Sequence, residues 1–308
     1  RNHGDNEVYK IAAGANIDDY RWTETLMKEL NCLGCTRQPA GFFQGLSLHY
    51  YTHAGAWETK GSATDFDVEA YYATMKHARR IEELVAGHAA IMDCYDPQRK
   101  VGLVIDEWGT WFDVEPGTNP GFLYQQNTLR DALVASVHFD VFHAFADRVS
   151  MANIAQTVNV LQAMILTDPD SGALILTPSY HVFAMNVGHH DAASLAVNVK
   201  GEVPTREVEG SELNLFSASA STKDGTALVS LSNLDAEQAR TVVLDLRGRD
   251  LAGFSGTVLT APSLQTHNTP QAPDAVAPAA HTGIRPHARG LEVDLPAHSY
   301  VTVSLELA

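Results

Sequence analysis

Residues 101–112 read Val-Gly-Leu-Val-Ile-Asp-Glu-Trp-Gly-Thr-Trp-Phe, an apolar run without polar alternation that stops on two carboxylates. A run of this kind is the pattern of a strand buried on both faces, as in the parallel sheets of α/β folds. The expected strand runs from Val101 to Ile105, with Asp106 and Glu107 at its C-terminal end. In a (β/α) barrel that end meets the loops in which active sites lie. Trp108 and Trp111 follow within four residues. A carboxylate beside flat indole faces suits a sugar, whose C–H surface packs on the aromatic ring while an acid group works at its glycosidic carbon.

Outward from this stretch, apolar runs alternate with helical patterns. Val8 to Asn16 reads as a short strand, Asp19 to Leu30 as a helix and Leu46 to Tyr51 as a second strand. A helix begins at Phe66, with Tyr71, Met75, Ala78, Ile81 and Val85 at helical spacing. Beyond the central strand, Leu129, Leu133, Val137 and Val141 mark one stripe of a helix from Asn127 to Phe145, and Val149 to Ile154 is a fourth strand. Strand and helix alternate with connections long enough for parallel crossovers. An eight-stranded barrel needs about 250 residues, so residues 1–189 predict half of one, leaving two sheet edges in need of partners.

After a short helix following Pro178 the period changes. Ser194 to Lys200, Glu212 to Ser219, Ala227 to Asn233, Arg240 to Leu246, Ser255 to Thr260, Gly290 to Leu295 and Val301 to Leu307 are short β-type runs between Gly, Asp and Pro turns. They predict an antiparallel β-sandwich over residues 190–308. The Pro- and Ala-rich interval from Ala261 to Pro286 predicts a long surface loop.

The 308 residues are 45% hydrophobic and carry a formal net charge of −16. That charge argues against a nucleic-acid partner, which needs clustered Lys and Arg, and is compatible with a neutral sugar. No apolar run reaches membrane-spanning length, which predicts a soluble segment with no membrane partner. Cys32, Cys35 and Cys94 are too few for a disulfide framework and lean towards the cytoplasm. Cys32 and Cys35 have metal-like spacing without a second pair, and His189-His190-Asp191, adjacent in the chain, predict a surface turn, so no metal is expected. Arg1-Asn2-His3-Gly4-Asp5 has no apolar signal core and reads as the interior of a domain.

Asp106-Glu107-Trp108 with Trp111, the block Leu46-Ser47-Leu48-His49-Tyr50-Tyr51-Thr52, and the block from Met151 through Gln156 to Val160 together resemble the retaining α-L-arabinofuranosidases of glycoside hydrolase family fifty-one. The resemblance implies strands five to eight of a (β/α)₈ barrel followed by a jelly-roll-like sandwich. It implies Glu107 as the nucleophile, His49 and Tyr51 close to it, Trp111 as a wall of the sugar subsite and Gln156 on sugar hydroxyls. It also implies an arabinofuranosyl-bearing saccharide as substrate, no cofactor, and a homo-oligomer, commonly a hexamer. The general acid/base of that family is a Glu in a Gly-Asn-Glu motif that the 308 residues lack. Asn6-Glu7 imitates it, but no apolar run leads into it and it precedes its strand, so it is rejected.

Taken singly, these residues leave other readings open. Glu107 could be a helix N-terminal acid, His49 a satisfied core histidine, Tyr51 a rim tyrosine packed on Trp111, Trp111 a residue buried under its loop, and Gln156 loop decoration. Asp106, next to Glu107 on a strand, is expected to face the opposite way and to be structural, and Trp108 to be core. The rival functions are a non-catalytic sugar-binding or scaffold protein and a related barrel glycosidase such as a β-xylosidase or endoglucanase.

Overall fold

The computed structural model describes residues 8–30 and 43–308. Asn6, Glu7, Cys32 and Cys35 lie outside the described residues, and Cys94 is an exposed free thiol. The chain divides into two compact units, residues 1–51, 80–108 and 145–154 in the first and residues 52–79, 109–144 and 155–308 in the second.

The first unit is built on a four-stranded sheet in chain order: β1 (Ile11–Asn16), β2 (Gly45–Thr52), β3 (Gly102–Thr110) and β4 (Val149–Ile154). β1 runs parallel to β2, and β3 to β4. Helix α1 (Tyr20–Leu30) connects the first pair in sequence, and α2 (Val68–Tyr95) lies between β2 and β3. The central strands are buried as their apolar runs require: Leu46, Leu48, Leu103, Val104 and Ile105 are all 1% exposed or less. A buried ion pair fixes the entry of β3. Arg148 reaches Asp96 at 3.0 Å and donates to the Val101 carbonyl at 2.8 Å, while Asp96 accepts from the Val101 N–H at 2.8 Å. The outer strands β1 and β4 are exposed along much of their length, with Ile11 and Met151 open to solvent.

β3 does not end at the carboxylates. It continues through Asp106 and Glu107 to Thr110, and its pairing with β4 shifts register between Ile105 and Trp108. A bulge of this kind bends the strand and re-aims its side chains. Trp108 is wholly buried, as expected of a core residue.

In the second unit, α3 (Leu129–Ala144) is buried nearly all round rather than along one stripe. A small hairpin pairs β5 (Ile165–Thr167) with β6 (Leu174–Leu176), and α4 (Pro178–Asn186) follows, its first turn capped by the Thr177 hydroxyl. Strands β7 (Ala193–Leu195), β8 (Thr205–Val208), β9 (Ser211–Asn214), β10 (Phe216–Lys223), β11 (Thr226–Asn233), β12 (Arg240–Asp245), β13 (Leu251–Leu259), β14 (Ala279–Ala280), β15 (Ile284–His287), β16 (Gly290–Leu295) and β17 (Ser299–Leu307) complete it. A six-stranded antiparallel sheet, β14-β13-β17-β11-β10-β7, and a three-stranded one, β12-β16-β15, enclose an aliphatic core of Val229, Leu231, Leu291, Val293, Val301 and Val303. This is the antiparallel β-sandwich that the alternating runs predict.

Four expectations need correction. The run from Ser194 to Lys200 forms a strand only at Ala193–Leu195, and that from Glu212 to Ser219 breaks at Leu215 into two strands in different sheets. The interval from Ala261 to Pro286 contains β14 and part of β15, and it buries Leu264 and Val276, so it is not wholly a surface loop. His189 is no surface residue. Its two ring nitrogens bond Ser221 Oγ and Ser230 Oγ at 2.8 Å each, while only His190 and Asp191 project outward.

The face of the six-stranded sheet away from the aliphatic core is lined with hydroxyls: Ser217, Ser219 and Ser221 on β10, Ser230 and Ser232 on β11, Tyr300 and Thr302 on β17. α3 meets it through polar groups. Ser232 donates to Ser136 Oγ at 2.9 Å, Ser219 donates to Asp140 at 2.6 Å, and His143 Nδ1 lies 2.9 Å from Ser219 Oγ. The His143 and His189 rings sit 4.3 Å apart, and burial holds the pKa of His143 down to about 3 and that of His189 to about 4, so both are neutral at neutral pH.

Burial likewise pushes the pKa of Asp140 up to about 7, against the opposing effects of Ser219, Ser217 and Arg79. An acid whose pKa is higher in the folded state keeps its proton there while the unfolded chain loses it, so stability falls as pH rises from about 4 to about 7. Asp140→Asn is expected to flatten that part of the profile, removing roughly 4 kcal/mol of pH-dependent loss at most. Urea unfolding at pH 4.5 and pH 7.5 (about 3 pH units apart) tests it, and an unchanged difference between the two pH values contradicts the assignment.

Candidate active site

β2 presents His49 and Tyr51 two residues apart, hence on one side of the strand. The Tyr51 hydroxyl donates to Glu107 Oε2 at 2.9 Å. Burial raises the pKa of the phenol, and its bond to Glu107 and the charge of that carboxylate raise it further. The phenol therefore stays protonated at neutral pH and remains a donor to the carboxylate. His49 Nδ1 lies 3.6 Å from Glu107 Oε2, and its Nε2 lies 3.1 Å from Asp106 Oδ1. The expectation that Asp106 faces away from Glu107 thus fails, for the register shift at this point brings both carboxylates to one imidazole. Glu107 remains about half exposed, its side chain at 48% relative accessibility, so a ligand can reach it.

Trp111 and Gln156 belong to the second unit. The Trp111 N–H donates to the Thr52 carbonyl at 2.9 Å, and its indole meets that of Trp57 edge-on, with ring centroids 4.9 Å apart. It is partly exposed rather than buried under its loop. Gln156 is exposed and follows a cis peptide bond after Ala155. Its N–H donates to the Val160 carbonyl at 3.1 Å, and its own carbonyl accepts from Met164 at 3.3 Å.

Sequence reasoning missed the residues that hold Trp111 in place. The Thr110 N–H donates to Gln162 Oε1 at 2.7 Å and the Phe112 N–H to Gln125 Oε1 at 2.8 Å, so both neighbours of Trp111 are tied to buried amides. Asp131 accepts from the Thr110 hydroxyl and, at 2.7 Å, from the Thr128 N–H. Arg130 lies 3.7 Å from the centroids of both Phe66 and Phe112 and donates to the Ser62 carbonyl at 3.0 Å. The adjacent charges Arg130-Asp131 at the head of an apolar helix were a usable signal, since such residues are rarely buried unless partnered. The two glutamines carried none.

Among the described residues no three His, Cys, Asp or Glu side chains group as a metal site would require, and no helix is long and apolar enough to cross a membrane.

Residues 106–299 match the family model of the α-L-arabinofuranosidase C-terminal domain, and the chain belongs to that family. Over 307 residues it is 43% identical to an intracellular exo-α-L-arabinofuranosidase of Bacteroides ovatus, covering 99% of this chain and 57% of that protein. It is similar to the crystal structure of a family fifty-one arabinofuranosidase from Xanthomonas axonopodis pv. citri, with a TM-score of 0.91 and 46% identity, covering 99% of this chain and 59% of that one. The arabinose complex of the α-L-arabinofuranosidase from Thermotoga maritima shares the fold at 24% identity, with a TM-score of 0.73, covering 96% of this chain and 57% of that one. The chain thus spans a little over half the length of these relatives.

Replacing Gln162 by Leu is expected to leave the buried Thr110 N–H without its acceptor. The cost should be about 1–3 kcal/mol, read as a lowered urea midpoint with an unchanged slope.

Proposed function

We propose that this chain is the C-terminal portion of a retaining α-L-arabinofuranosidase that removes terminal α-L-arabinofuranosyl groups from saccharides. Its four parallel strands would be strands five to eight of a (β/α)₈ barrel, with the sandwich beginning near residue 190. The exposed edges at β1 and β4 and the change from mixed to all-β elements at Ala193 support this division.

The observation that carries the proposal is the Glu107 carboxylate, held by the Tyr51 hydroxyl beside His49 on a strand of this family's C-terminal domain. A retaining glycosidase needs one carboxylate to attack the anomeric carbon and a second to protonate the leaving oxygen. In our reading Glu107 is the first. Its oxygen forms a glycosyl ester with inversion. The second acid, which the family places in a Gly-Asn-Glu motif outside these 308 residues, gives its proton to the leaving group. That residue then takes a proton from water, which attacks the ester with a second inversion and releases arabinose with net retention. Tyr51 steadies the attacking carboxylate, and Trp111 and Gln156 line the sugar. These steps call for no metal or cofactor. An intracellular location, as in the name of the Bacteroides ovatus relative, and a homo-oligomeric assembly belong to the same proposal.

In the complete protein, Glu107→Gln is expected to abolish hydrolysis of para-nitrophenyl α-L-arabinofuranoside. A mechanism-based inactivator should leave its covalent pentosyl adduct on the peptide containing Glu107, and an adduct elsewhere, or full activity in the variant, rejects the assignment. Tyr51→Phe removes a hydrogen bond to a charged group, about 1.5–3 kcal/mol, and should lower kcat/KM by roughly 10- to 150-fold. The 308-residue chain alone should show no turnover. If it hydrolyses the aryl arabinofuranoside and Glu107→Gln stops it, the placing of the second acid outside the chain is wrong.

A further inference from the structure

The loop after β2 fixes a cation for which the reaction at Glu107 has no use. Lys60 Nζ donates to the Trp57 carbonyl at 2.7 Å and lies 4.2 Å from the centroid of the Trp57 ring and 5.8 Å from that of Trp111. A lysine ammonium usually sits in water at the end of a flexible four-carbon stem. Here a hydrogen bond and two indole rings hold it, partly buried. None of the ion pairs among the described residues includes Lys60. That is unexpected where 21 Lys and Arg face 37 Asp and Glu. The neighbouring His53 brings no second charge. Burial, with the fields of His77 and Lys60, lowers its pKa against the opposing bond to the Gly55 carbonyl, and it stays neutral.

An ammonium fixed beside an exposed indole suits a ring that carries an anion at its edge. Trp57 is 51% exposed as a residue, and the part of its indole that the ammonium leaves open suits the C–H side of a pyranose. A carboxylate projecting from such a ring reaches the ammonium without leaving the indole. The overall charge of −16 does not prevent this. Repulsion from distant surface carboxylates is screened beyond about 8 Å at physiological salt, whereas a pair in contact lies inside that length and is screened only at higher salt.

Resting on the arabinofuranosidase assignment above, we infer that Trp57 and Lys60 form a subsite for a uronic acid residue in the saccharide that bears the arabinofuranosyl group, so that uronate-containing substrates are preferred to neutral ones. Trp57 supplies the stacking surface and Lys60 the charge.

The test compares kcat/KM of the complete protein on an arabinofuranosylated oligosaccharide containing a uronic acid and on its carboxyl-reduced form, identical but neutral. The acidic substrate should be favoured about two- to five-fold at low salt, with the ratio approaching one at about 0.5 M NaCl. Lys60→Met should bring the ratio to one at low salt, and Lys60→Arg should retain it. An equal ratio in the wild type and Lys60→Met, or a wild-type ratio that ignores salt, overturns the subsite. A wild-type protein that hydrolyses para-nitrophenyl α-L-arabinofuranoside but shows no acidic preference overturns the subsite alone. One that hydrolyses none of the three substrates overturns the arabinofuranosidase assignment and the subsite with it.

Discussion

Everything at the candidate site depends on how β3 escapes its own burial. Ile105 and Trp108 are both wholly inaccessible to solvent, and between them the strand must turn a carboxylate outward. A regular strand would send Asp106 and Glu107 to opposite faces. The register shift against β4 relaxes that alternation, and His49, from the strand on the other side, then meets both carboxylates. Tyr51 completes the arrangement because it stands two residues beyond His49 on the same strand. The spacing of residues 49 and 51 on β2 and the irregularity at residues 105–108 on β3 are therefore two halves of one device. Neither would present an oriented carboxylate alone.

Legibility in the sequence followed the physics of burial. The unbroken apolar run before Asp106 and the alternating runs beyond residue 226 specified their elements because burial on two faces and burial on one face leave different periods. β4 and β16 fall where their runs place them. The pairing of Tyr51 with Glu107 was legible only through the resemblance of whole blocks, since nothing in a lone tyrosine announces a partner 56 residues away. Hidden elements were those whose pattern is weak for a physical reason. The two-residue strand at Ala279 has no period to display, and α3, buried on all sides, shows one stripe of a pattern that covers its whole circumference. The bulge was invisible because its cause lies in pairing with β4 and not in the composition of β3. Gln125 and Gln162 were invisible because a polar side chain that caps a backbone N–H in the interior has the same sequence appearance as one in solvent.

Ionisable groups are handled in opposite ways in different places. Around Glu107 the ionisable side chains are a third to a half exposed, so solvent reaches them. Beneath α3, Asp140, His143 and His189 are driven towards their uncharged forms, so below about pH 7 the contact between helix and sheet is polar without being ionic. A strongly acidic molecule thereby keeps its net charge on the outside, where salt and solvent moderate it.

The hydroxyl-lined face of the sandwich gives this domain a metrological use. An aliphatic interface resists separation but tolerates sliding, because dispersion and desolvation have no direction. Bonds such as Ser232 to Ser136 and Ser219 to Asp140 are directional and are lost within an ångström of slippage. They act as index marks that set α3 at one position along the sheet. The first turn of α3 carries Asp131, which grips Thr110, and Thr110 adjoins Trp111. The β-sandwich is thus a reference surface: the position of an aromatic side chain on a loop is calibrated, through one helix, against a sheet.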